Sequence, residues 1–159
     1  MSKPEKSKKF KYKLNTLLKV REIKEKQEKD KLVELEQKLI EEIKKEEELK
    51  LLEKIKYDEL RNMMSSGKTL PDTGIIQIRK RHIEVLKEKV LAQHEKVVAA
   101  EKERDFQREK LIQAIKEKKV IEKDKEKTKK AWIKLMNKEE AKFLDDIAGI
   151  RFNSQKIDF

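Results

Sequence analysis

Apolar residues recur along this chain at alternating steps of three and four, and the positions between them are mostly charged. Between residues 14 and 64, one such ladder holds Leu14, Leu18, Leu32, Leu35, Leu39, Leu49, Leu60 and Met63, with Ile43 and Leu52 one place off it. Between 74 and 148, a second holds Ile76, Ile83, Leu86, Val90, Val97, Ala100, Leu111, Ala114, Ile121, Trp132 and Leu135. A narrow apolar stripe flanked by Lys, Glu and Arg is a coiled-coil seam. Arg21, Glu25, Glu28, Arg104 and Gln107 fall on seam positions, so irregular coiling is expected, with some stretches nearly straight.

Helix breakers divide the chain cleanly. Proline occurs only at Pro4 and Pro71, and glycine only at Gly67, Gly74 and Gly149. The cluster from Ser65 to Gly74 combines two of those glycines, a proline and capping side chains, which is a turn signal. Gly67 is placed to end the first helix with a positive φ, and Asp72 or Thr73 to cap the second. The pattern therefore predicts an all-α fold: a basic, partly disordered tail (1–13), an antiparallel coiled-coil hairpin (14–148) and a C-terminal tail (149–159). Within the hairpin, a helix over about 14–64 is followed by a loop over about 65–73 and a longer helix over about 74–148. A loop of that length folds the helices back antiparallel, so residue i faces roughly residue 138 − i. The paired part is then roughly 75 Å long, and residues 125–150 overhang it by roughly 35–40 Å.

Composition removes the compact alternatives. Of the 159 residues, 47% are charged and 36% hydrophobic, below the roughly 45–50% that fills a globular core. An enzyme pocket walled by such a core is excluded with it. The net charge of +11 is uneven. Residues 1–13 carry six Lys and one Glu, and residues 116–142 eleven Lys and six acids, whereas the span between is close to balanced. Most aromatics (Phe10, Tyr12, Trp132, Phe143, Phe152, Phe159) gather at the same open end. There Trp132, Leu135, Met136, Phe143, Leu144 and Ile147 recur at helical spacing where the first helix has no residues left to offer. A stripe with no intramolecular partner points to an intermolecular one. Cover by the 1–13 tail, or pairing of two copies, are the alternatives.

Candidate chemistry changes little. There is no cysteine, hence no disulfide or thiolate site. Gly67-Lys68-Thr69 resembles the end of a P-loop, but Asn62 stands where the motif needs its first glycine and a helix precedes it instead of a strand. His82 and His94, twelve residues apart on one helix, cannot share a metal ion, and Asp145-Asp146 offers too few oxygens for calcium. No cofactor, metal or catalytic activity is expected. The lysines of the basic end alternate with Glu117, Glu122 and Glu126, which argues against specific nucleic-acid binding. No stretch reaches the ~20 apolar residues of a membrane span, so a cytoplasmic protein without direct membrane insertion is expected.

Two segments carry a family resemblance. The opening Phe10-Lys-Tyr-Lys-Leu14-Asn-Thr-Leu17-Leu18-Lys-Val-Arg21-Glu22 resembles the start of the flagellar export protein FliJ family, and Glu140-Ala-Lys-Phe-Leu144-Asp145-Asp146-Ile147-Ala148-Gly-Ile-Arg151 resembles its ending. The resemblance implies a non-enzymatic two-helix stalk of the flagellar type III export apparatus, peripheral to the cytoplasmic face of the inner membrane. Its open end would bind the hexameric export ATPase, promoting ring assembly and activity, and would couple it to the transmembrane export gate. Export chaperones are further candidate partners. Lys129, Lys130 and Lys134 would face acidic ring surfaces, and Trp132, Leu135, Met136, Phe143 and Leu144 would supply apolar contacts. Gate contact would fall just past the tip, at Leu86 and at His82, which stands where the family carries an aromatic. The competing expectations are a homodimeric structural coiled coil and the central stalk subunit of a V/A-type ATPase.

Overall fold

The computed structural model describes residues 9–65, 67 and 72–157. Two long helices pack against each other and the second is the longer: α1 spans Asn15–Ser65 and α2 Thr73–Ile157. Both are built from good helix formers with no interior proline. Gly67 takes the positive φ (63°) expected just past α1, a conformation that side chains with a Cβ resist. Asp72 caps α2: its Oδ1 accepts a hydrogen bond from the Gly74 amide at 3.0 Å, satisfying one of the orphan donors of the first turn. Lys68 and Thr69 of the P-loop-like tripeptide, most of the turn between the helices, residues 1–8 of the basic tail and Phe159 lie outside the described residues.

The contacts divide the chain into two units, Lys26–Ile112 and Met1–Glu25 with Gln113–Phe159. In the first, the order of cross-helix pairs shows the antiparallel arrangement: Glu28 meets Gln107, Glu42 meets Gln93, and Glu59 meets Arg79. Leu39, Val97 and Ala100 form a buried cluster with Ile43 against it. Leu60, Ile83 and Leu86 are buried as well. Burial follows a seven-residue repeat over residues 28–63 and 83–111, and part of that repeat is polar. Glu46, Gln93 and Gln107 are buried, and Glu28, Glu42, Glu53, Lys56 and Arg104 are half-buried. The Gln93 amide donates to the Glu42 main-chain carbonyl at 3.0 Å and to the Glu42 carboxylate. Gln107 repeats the arrangement on Glu28.

In the second unit, Leu18, Ala114 and Ile121 are buried. Arg21 pairs with Glu117, and Lys118 Nζ lies 2.7 Å from Glu25. Two seam expectations are corrected here. Leu14 lies just before α1 and is 45% exposed, and Leu135 is 55% exposed. The half-buried positions beyond Trp132 are instead Met136, Phe143 and Ile147, four, eleven and fifteen residues on. Steps of four, seven and four lie closer to the 3.6-residue period of a lone helix than to the 3.5-residue period of a heptad seam. The segment expected as a tail from 149 is helical through Ile157, because a single glycine in a run of helix-compatible residues costs only ~1 kcal/mol.

Candidate functional site

α1 begins at Asn15, whose Oδ1 accepts from Lys125 Nζ at 3.4 Å. α2 continues from there to Ile157, roughly 50 Å of helix at 1.5 Å per residue. Along this stretch Leu135, Leu144, Ile150 and Phe152 are exposed. Among the described residues, no hydrogen bond or ion pair from another element reaches beyond Lys125. The basic groups expected to act here are on the surface. Lys129 and Lys134 are exposed, and Lys130 is exposed with its Nζ 2.8 Å from Glu126.

The segment preceding α1 is not free over its described part. Phe10 packs on Trp132 with ring centroids 5.8 Å apart at 52°, a tilted aromatic geometry. The Tyr12 hydroxyl donates to the Asp124 carboxylate at 2.5 Å, and the Ile121 carbonyl lies 3.4 Å from it. The Asp124 hydrogen bond, then burial and the Asp124 charge, push the phenol up to about 12. Phe10 and Tyr12 are half-buried whereas Lys9 and Lys11 are exposed. The alternation Lys9-Phe10-Lys11-Tyr12 is the sequence signal for this, since a period of two suits a strand-like segment with one face covered. Part of the Trp132 surface is therefore covered from within the chain, the alternative that the sequence left open.

The tip-proximal positions divide. His82 is exposed. Leu86 is 2% exposed, the largest side chain buried to that degree among the described residues. As a seam residue facing α1 it cannot present its side chain to a gate protein, and that expectation is corrected. The exposed apolar neighbours of His82 are Ile75, Ile78 and Val85, at the three- and four-residue steps that share its face. His94 sits at the seam edge, its Nδ1 3.0 Å from Glu46 Oε1.

Fold and site together define an antiparallel two-helix hairpin whose longer helix ends in a lysine-rich, aromatic segment without a described helical partner. The family model described as "Flagellar FliJ protein" matches residues 10–156. The chain belongs to the FliJ family and is a flagellar export-associated protein. No curated protein and no solved structure matches it.

Proposed function

We propose that this chain is a non-enzymatic central stalk of the flagellar type III export apparatus, and that the α2 segment beyond Lys125 binds the hexameric export ATPase. The observation that carries this is the apolar stripe that continues where α1 has ended, with Leu135 and Leu144 exposed. Trp132, Met136 and Phe143 supply further half-buried apolar surface, and Lys129, Lys130 and Lys134 attract acidic ring surfaces. Contacts that differ among the six subunits would bias their conformational states, which is how one stalk promotes ring assembly and turnover. Gate contact is assigned to His82 with Ile78 and Val85, of which Ile78 is 71% exposed. No helix among the described residues is long and apolar enough to cross a membrane, and association with the cytoplasmic face of the inner membrane would run through these partners. The homodimer reading is disfavoured because the seams of both units are filled by the chain's own two helices.

A photo-crosslinking residue at position 144 is expected to capture the ATPase in cells, and one at position 96, an exposed site in the paired region, is not. Failure of position 144 to capture the ATPase overturns the assignment. Position 78 is expected to capture a transmembrane gate component.

A further inference from the structure

The ring-binding surface proposed above includes only α2. The contacts around residues 10–12 enlarge it. Phe10 leaves Trp132 half-exposed, and Phe10 is itself half-exposed, so the two rings make one shared aromatic surface at the root of the α2 overhang. Neither ring buries the other. Tyr12, held on Asp124 and Ile121, fixes where Phe10 sits. Lys9, Lys11, Lys129 and Lys134 are exposed in the flanking sequence, and none has an ion pair among the described residues. An aromatic centre with exposed lysines in the sequence on either side of it fits an acidic protein face with an apolar middle.

We infer that the ATPase-binding surface is composite: the segment before α1 contributes Phe10 and its lysines, and Tyr12 is the positioning residue that keeps Phe10 on Trp132. This rests on the ring-binding reading above. A partner that docks on Phe10 and Trp132 together need not peel the segment away. One that needed bare Trp132 would have to break the aromatic pair and the Tyr12 hydrogen bonds first.

Trp132 is the chain's one tryptophan, so its fluorescence reports on Phe10 without any partner. In the free full chain, Phe10→Ala and Tyr12→Phe are expected to red-shift Trp132 emission and increase its quenching by acrylamide, with helical ellipticity unchanged. Against the purified hexameric ATPase, Phe10→Ala is expected to weaken binding about three- to tenfold, the size of one aromatic pair. Tyr12→Phe should weaken it less, and added salt should weaken the wild type. Phe143→Ala/Leu144→Ala is the control for the reading itself. If that double variant weakens binding while Phe10→Ala leaves it unchanged or tighter, the composite surface is wrong and the segment is a passive or inhibitory cover. If neither variant weakens binding, the ring-binding reading fails and this inference with it.

Discussion

At the scale of single residues, Leu86 and His82 separate packing from recognition. They lie four apart on α2, one buried in the seam and the other exposed. Leu86→Ala is expected to cost about 2–5 kcal/mol in urea unfolding followed by circular dichroism. His82→Ala should stay within about 0.5 kcal/mol, with any effect confined to gate binding. Tyr12 gives a pH test. Its folded value lies above the usual 10.0, so its contribution is complete below pH 10 and lost as pH rises through about 12. Acrylamide quenching of Trp132 should rise across that window in the wild type. A phenyl ring at this position has no proton to lose, so Tyr12→Phe should lack the step. Glu42, Glu46 and Glu117 act at the other end. Each carboxyl is held below 4.5, chiefly by hydrogen bonds from Gln93, Lys50 and Gln113 respectively. Their contribution is present above pH 4.5 and lost as pH falls through their folded values, so the melting temperature should drop on acidification below 4.5. The sequence displayed the apolar seam residues because Leu, Ile and Val stand out against charge. Gln93, Glu42 and Glu46 were legible only by counting sevens onward from Leu86, Leu35 and Leu39, because nothing about a lone Gln or Glu in a charged helix marks it as buried.

At the scale of elements, the polar seam layers set register. Gln93 and Gln107 are fourteen apart, as are their partners Glu42 and Glu28. Both amides find a glutamate together in this alignment. A slip of seven residues would bring Leu35 or Leu49 to the place of Glu42 and remove the carboxylate from a buried amide, a loss of about 1–3 kcal/mol per layer. Gln93→Leu with Gln107→Leu is therefore expected to keep or raise the melting temperature while loosening register. The double variant should form concentration-dependent oligomers by analytical ultracentrifugation, where the wild type stays monomeric. The Asp72 cap gives a simpler case: Asp72→Ala should lower stability by about 0.5–2 kcal/mol in the same denaturation assay. Helix existence was readable because breakers confine themselves to one cluster. The far end of α2 was not, because Gly149 reads as a stop where no capping or turn residues reinforce it. The docking of Phe10 and Tyr12 was legible only as the open alternative of cover by the 1–13 tail, because a period of two shows that one face of the segment is covered and not which surface covers it.

At the scale of the whole molecule, charge and unpaired apolar surface coincide. Lysine-rich residues 1–13 and 116–142 hold most of the +11, and the α2 stripe that lacks a described helical partner starts in the same region. The sequence brought out this coincidence because charge is additive and needs no geometry. It could not reveal how much of Trp132 is covered from within, which depends on a contact between residues 122 positions apart. The central claim is that α2 beyond its pairing with α1 is the part that engages the ATPase. The most direct measurement is the ATPase rate of the purified cognate hexamer, titrated with the intact chain and with a chain ending at Thr128. Saturable stimulation by the intact chain, lost on truncation while the shortened chain keeps its helical ellipticity per residue, is expected. Equal stimulation by both chains, or none by either, would contradict the account.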